Sequence, residues 1–219
     1  MNVSLVAFTV YADSFKDNIA NTDKVVERCG RVCYATGDKM HMEKTDSFIH
    51  ALIEKGHESV LEHASITFLV SGVSRSLTHQ AVRHRLASYS QKSQRYVRED
   101  NFKCVVPESI RSNPKALAEY ECTLDNIKHT YLDLLNKYNI KAEDARFVLP
   151  NACETEIAVT MNFRELRHFL RLRLDPHAQW EIRDMAMEML RLAYNVAPYS
   201  FEDLYTQHCK GLDIAVGRV

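Results

Sequence analysis

Glu154-Thr155-Glu156-Ile157-Ala158-Val159-Thr160-Met161 runs directly into Asn162-Phe163-Arg164-Glu165-Leu166-Arg167-His168-Phe169-Leu170-Arg171-Leu172-Arg173, and the fold turns on this stretch. Its first eight residues alternate well enough for a strand. From Phe163 to Leu172 the spacing becomes helical, with Phe163, Leu166, Phe169 and Leu170 facing a core. No GxGxxG motif occurs anywhere in the chain, so the turn that opens a Rossmann unit is missing. Nor is there a P-loop or a GxSxG elbow.

Outward from this stretch, the pattern predicts strands over Asn2–Val10 and Ala64–Val70 and a short extended piece over Phe102–Pro107. Helices are predicted over Asp23–Ala35, Thr45–Lys55, Ser74–Arg85, Pro114–Tyr138, Ala142–Val148, Gln179–Ala197 and Phe201–His208. Thr45 or Asp46 is placed to cap the second of these helices and Gly56 to end it, while Pro150 stops the one beginning at Ala142. The expected fold is α+β, a single helix-dominated domain over residues 1–219 without linker or repeat.

Bulk properties narrow the function by exclusion. With 28 basic and 29 acidic residues the net charge is −1, so no global field selects nucleic acid or a membrane surface. The apolar start is too short for a signal peptide, and no run approaches a membrane span, which predicts a soluble, cytoplasmic protein. The six cysteines are scattered without a CxxC pair and are expected to be reduced thiols; Cys29 and Cys33 stand one helical turn apart.

Anion binding must therefore come from local clusters. Arg83-His84-Arg85-Leu86-Ala87-Ser88-Tyr89-Ser90-Gln91-Lys92-Ser93-Gln94-Arg95-Tyr96 combines guanidinium forks with hydroxyls, and Gln91 and Gln94 suit a pyrimidine edge. A solvated basic turn would use the same residues. In the second cluster, Arg164, Arg167, His168 and Arg171 fall on one broad helical face, where salt bridges to Asp175, Glu181 or Asp184 are the plainer alternative. Gly56-His57-Glu58-Ser59-Val60-Leu61-Glu62-His63 spaces its histidines six apart, unlike the helical HExxH of zinc sites, so no metal is expected. His57 and Ser59 could close over a cofactor, while Glu62 and His63 could simply pair with nearby arginines.

These motifs, in this order, resemble the flavin-dependent thymidylate synthases. Arg83-His84-Arg85, seven residues and Ser93 match that family's signature. Gly56–His63, Ala145-Arg146 to Pro150, Asn162-Phe163-Arg164 and Leu172-Arg173 through Glu181 follow in the family's order, over about residues 50–210. The resemblance implies an α+β fold of the family's own type and a homotetramer with shared active sites. It implies methylation of dUMP to dTMP, with methylenetetrahydrofolate as carbon donor, FAD as methylene and hydride relay, and NADPH as reductant. Ser59, Arg83, His84, Arg85, Gln91, Asn162, Arg164 and His168 would contact FAD. Gln80, Arg83, Gln91, Ser93, Gln94, Arg95, Arg146 and Arg173 would contact dUMP, with His57 and Glu62 lining the same region. Arg173 would be the catalytic residue, favouring ionisation of the uracil N–H as a nearby cation does. Ser93 is read as a phosphate ligand, since no base is placed to activate it. A nucleic-acid-binding protein would use the same arginines but would be colourless, with affinity falling steeply in salt.

Overall fold

The computed structural model describes residues 1–12, 22–37 and 44–209. In chain order the elements are β1 (Asn2–Phe8), α1 (Asp23–Cys33), α2 (Thr45–Glu54), a 3-10 turn (Glu58–His63), β2 (Ser65–Ser74), α3 (Arg75–Ala81) and β3 (Ala87–Gln91). Then come α4 (Glu108–Arg111), α5 (Pro114–Asn136), α6 (Ala142–Ala145) with a 3-10 extension (Arg146–Val148), β4 (Glu154–Asn162), α7 (Phe163–Arg173), α8 (Trp180–Val196) and α9 (Pro198–Cys209). The fold is α+β, with one four-stranded sheet in the order β1-β2-β4-β3. Antiparallel pairing shows in the register: the Phe163 N–H donates to the Ala64 carbonyl, and Thr67 meets Thr160 hydroxyl to hydroxyl at 2.9 Å.

The chain divides into two compact units. The first comprises Met1–Asn2, Val70–Ala81 and Ser90–Ile157. Within it α5 begins at Asn113, whose side chain accepts the Lys115 and Ala116 N–H groups, with Pro114 in the first helical position. The apolar residues spaced three to four apart on α5, Leu117, Tyr120, Leu124, Ile127, Tyr131 and Leu134, form its less exposed side, yet in the whole helix only Tyr131 and Leu135 are buried, against Ala145 of α6. The N-terminal part, with Leu117 and Leu124, stays half-buried.

The second unit comprises Val3–Leu69, Val82–Tyr89 and Ala158–Val219, described as far as Cys209. Its core joins Phe68, Phe163, Phe169, Met189 and Phe201, all fully buried. Here α9 starts at Pro198 rather than at Phe201 as expected, because Asp23, far away in sequence, caps it. The Asp23 carboxylate accepts the Tyr199 and Ser200 N–H groups and the Ser200 hydroxyl. Gly56 ends α2 at φ 70° as expected, but no side chain caps its start: Thr45 donates its hydroxyl to Glu27 instead, at 2.6 Å.

One boundary matters for function. The helix expected over Ser74–Arg85 stops at Ala81, and the chain turns through Val82–Leu86 into β3. Strand pairing overrides the helical spacing: the Lys92 N–H, just past β3, donates to the Glu156 carbonyl of β4 at 2.9 Å. The turn is held from within by Tyr89, whose hydroxyl donates to the His84 carbonyl. Arg83 and Arg85 are thereby left exposed on a tight turn rather than spread along a helix.

Candidate active site

In the second unit, Asn162 ends β4 and caps α7: its side-chain oxygen accepts the Glu165 N–H at 2.9 Å, leaving the amide NH2 as the end it can offer to a ligand. The outer side of α7 then presents Arg164, His168 and Arg171, all exposed. With Glu58, Glu62, Leu86, Asn162 and Glu165 these residues line a cleft of about 610 Å³. The cations in it are already gathered. Arg164 pairs with Glu62 at 2.5 Å and Arg171 with Glu58 at 2.9 Å, both carboxylates lying on the 3-10 turn that also carries the exposed Ser59.

Arg167 departs from the sequence expectation. It does not share the outer face with Arg164 and Arg171 but is fully buried. It donates to the Ser200 carbonyl and, as a fork, to both carboxylate oxygens of Asp203, at 2.7 and 2.5 Å. Burial would raise the Asp203 carboxyl, but the bonds from Arg167 outweigh it and hold it below its ordinary value. The ion pairs of Arg164, Arg167 and Arg171 thus run to Glu62, Asp203 and Glu58.

A second cleft in the same unit, about 360 Å³, is lined by Arg83, His84, Arg85, Leu86, Glu165, His168, Leu172 and Arg173. His84 is buried at its floor with both ring nitrogens engaged. Nδ1 faces the buried Glu165 carboxylate at 3.3 Å, and Nε2 meets the Nε–H of Arg173 at 3.1 Å. Its ring edge lies on Phe169, with centroids 4.8 Å apart. Burial, then the charges of Arg173 and His168, push the imidazole pKa down from 6.5 to about 4. Burial and the Glu165 charge push the Tyr89 phenol up to about 12.

The remaining expected site residues, Gln80, Gln91, Ser93, Gln94, Arg95 and Arg146, belong to the first unit. Gln91 donates its amide NH2 to Thr78 and Thr155, at 3.1 and 3.3 Å, so its carbonyl oxygen is the end it can turn to a ligand. Arg95 and Arg146 are gathered on one residue, Glu143: Arg95 pairs with its carboxylate at 2.9 Å and Arg146 donates to its carbonyl at 3.0 Å. The Ser93 hydroxyl accepts the Arg95 N–H at 3.2 Å, placing it in a turn beside that arginine rather than against a base. Among the described residues, the buried Gln94 amide nitrogen has no hydrogen-bond partner. Such a donor is rare in a native protein and is met by an ordered water or by a ligand.

Sequence reasoning did not single out Glu143, Glu165, Tyr89, Thr78 or Thr155. Tyr89, Thr155 and Glu165 lie inside the quoted stretches but carry no signal of type or spacing, and Glu143 and Thr78 stand outside them; each matters for the residue it holds. Glu62 it did connect with the arginines, as one of two readings, and the pairing with Arg164 is present.

Comparison with known proteins places these clefts in context. Residues 16–199 match the family described as thymidylate synthase complementing protein. A flavin-dependent thymidylate synthase of Geobacter sulfurreducens is 48% identical over 189 residues, covering 83% of this chain and 81% of the relative. One from Clostridium tetani is 41% identical over 203 residues, with 83% and 82% covered. One from Mycolicibacterium gilvum is 41% identical over 208 residues, with 87% and 83% covered.

Proposed function

The chain belongs to the family of flavin-dependent thymidylate synthases, and from that premise we propose how its residues divide the work of the reaction. It is an FAD-dependent enzyme that methylates dUMP to dTMP, with methylenetetrahydrofolate as carbon donor and NADPH as reductant. Bound FAD supplies the relay of the methylene group and of hydride, chemistry that no side chain offers.

The observation that carries the assignment is the donor set of the second unit. Arg83, Arg85, Arg164, Arg171, Arg173 and His168 line its two clefts beside the capped start of α7. Guanidinium forks at a helix N-terminus suit a pyrophosphate. FAD is accordingly held by Ser59, Arg83, His84, Arg85, Gln91, Asn162, Arg164 and His168. His84 forms the buried floor of that site, its nitrogens being engaged within the chain. Glu58 and Glu62 keep Arg171 and Arg164 poised and exchange them for phosphate oxygens.

The nucleotide substrate takes the other set. Arg95, Arg146 and Ser93 hold the dUMP phosphate, while Gln80, Gln91 and Gln94 read the uracil and sugar, with Arg83 and Arg173 completing the group. Arg173 is the catalytic residue: its permanent charge stabilises uracil ionised at the ring N–H, which makes the ring electron-rich enough to form a carbon–carbon bond. His57 lines the same region.

The single domain of residues 1–219 works in the cytoplasm as a homotetramer in which more than one subunit contributes to each active site. Exposed apolar surface supports the assembly. Leu86, Tyr96 and Phe147 are each more than three-quarters exposed, and the N-terminal part of the α5 stripe is only half-buried. Among the described residues no helix is long and apolar enough to cross a membrane.

Arg173→Ala compared with Arg171→Ala tests the reading. Loss of Arg173 should depress dTMP formation severely, while flavin content and NADPH oxidation without dUMP stay near normal; loss of Arg171 should be much milder. Near-wild-type dTMP, identified by mass, from a folded and flavin-loaded Arg173→Ala protein would refute the role.

A further inference from the structure

We infer that Glu165 and His84 form a positioning relay for Arg173, in which a neutral histidine of one fixed tautomer aims the guanidinium. The inference rests on the uracil-binding role proposed for Arg173. An arginine Nε–H can only donate, so His84 Nε2, 3.1 Å away, must offer a lone pair and carry no proton. The ring proton then sits on Nδ1, where the Glu165 carboxylate 3.3 Å away accepts it. A carboxylate on one side and a guanidinium on the other thus select the same tautomer.

The imidazole cannot drift from this arrangement. Its edge packs on Phe169, His168 lies 5.9 Å from it centroid to centroid, and its own carbonyl is bound by Tyr89. Glu165 is itself held through its backbone, whose N–H is capped by Asn162. The charged and titratable groups facing His84 are Glu165, Arg173, His168 and Tyr89, with Arg83 and Arg85 as chain neighbours. A protonated His84 would point an N–H at a guanidinium, so the relay operates only with the ring neutral.

The need for such a relay follows from the position of Arg173. It is the last residue of α7, where a helix frays, and its long side chain has several rotatable bonds. A hydrogen bond at Nε fixes the plane of the guanidinium near its root and sets the direction of the Nη fork. Without it the same charge remains nearby with its plane less firmly set, and orientation governs much of a rate.

The test is a double-mutant cycle on the FAD-loaded enzyme, scored as dTMP formed at saturating dUMP. His84→Leu should lower turnover per bound flavin about tenfold to a hundredfold, as expected for one charge-assisted hydrogen bond. Added to Arg173→Ala it should cause no further loss, because both changes remove one interaction. His84→Gln carries an acceptor to the Nε2 position and should recover turnover, whereas His84→Asn is too short and should not. The Gln–Asn comparison decides the matter if the leucine variant fails to fold. Losses that multiply in the double variant, or equal turnover in the Gln and Asn variants, would overturn the relay while leaving Arg173 catalytic. Near-wild-type turnover in Arg173→Ala alone would remove both.

Discussion

Arg167 stands among the basic residues of α7, yet the structure gives it a wholly different task from its neighbours. Its side chain is fully buried, while those of Arg164 and Arg171 are 52% and 44% exposed. Arg167→Ala strips the Ser200 carbonyl and both Asp203 oxygens of their donor and empties the space filled by the side-chain stem. Breaking a buried ion pair by removing one partner costs about 3–5 kcal/mol. Asp203 is 49% exposed and regains water, which places Arg167→Ala near the lower end, at about 3 kcal/mol. Asp203→Asn retains one acceptor and leaves Glu58, 4.0 Å from Arg167 Nε, as the remaining counter-charge, at about 2 kcal/mol. Arg171→Ala loses an exposed pair worth no more than about 1 kcal/mol. Urea unfolding of flavin-free protein, followed by circular dichroism at one fixed protein concentration, measures all three. Of a total stability of about 5–15 kcal/mol, the Arg167 effect is unmistakable. An Arg167→Ala protein within about 1 kcal/mol of wild type, but with FAD affinity reduced as in Arg164→Ala, would show that Arg167 serves the cofactor and refute the reasoning.

Further expectations rest on other residues. Ser93→Ala should weaken dUMP binding about tenfold to a hundredfold while turnover at saturating dUMP persists, the mark of one lost hydrogen bond to a charged group; abolished turnover with unchanged binding would instead identify a nucleophile. Asp23 is buried, which raises its carboxyl from 3.8 to about 6 despite the Ser200 and Tyr199 bonds. The folded state therefore holds a proton that the unfolded state releases between those values, and this residue's contribution to stability falls as pH rises through that window. The stability of Asp23→Asn relative to wild type should accordingly climb by up to about 3 kcal/mol from pH 4 to above pH 6, and a flat difference in titrated urea midpoints would contradict it. His84, lowered from 6.5 to about 4, acts in the opposite direction: its contribution is complete above 6.5 and is lost as pH falls toward 4. Removing it should steepen the decline of stability with rising pH, readable in the same midpoints of His84→Gln. Sedimentation should find flavin with the tetramer, and an active, flavin-loaded monomer would exclude shared sites.

Much of the fold was legible because burial imposes a period. β4 and α7 could be read to within a residue or two, since one face of each is buried along its whole length and each change of period is sharp. Where burial is not the deciding force, the reading failed in a consistent way. The helix expected through Arg85 stops at Ala81 because pairing with β4 claims the next segment, and a partner strand more than sixty residues away leaves no local signature. The early start of α9 has the same character: its cap, Asp23, lies 176 residues from Tyr199. On α5 the stripe was visible, but a stripe does not say whether the same chain covers it.

The candidate site divides along a similar line. Side chains that meet a ligand through a fixed motif were legible by type and spacing, because guanidinium, amide and hydroxyl groups can be counted in a sequence. Their direction and availability could not be counted, because both are set by carboxylates from elsewhere in the chain. Arg164 and Arg171 are held in reserve by Glu62 and Glu58, Arg95 is held by Glu143, and Arg167 is withdrawn altogether by Asp203. An acid that organises a cation looks, in sequence, like any other member of a balanced surface. Near neutrality, the chain's −1 charge, therefore does not argue against phosphate binding. Each exposed acid–arginine pair is worth little in water. A bound phosphate can take over the arginine at small cost, while the acid keeps the cation oriented until it does.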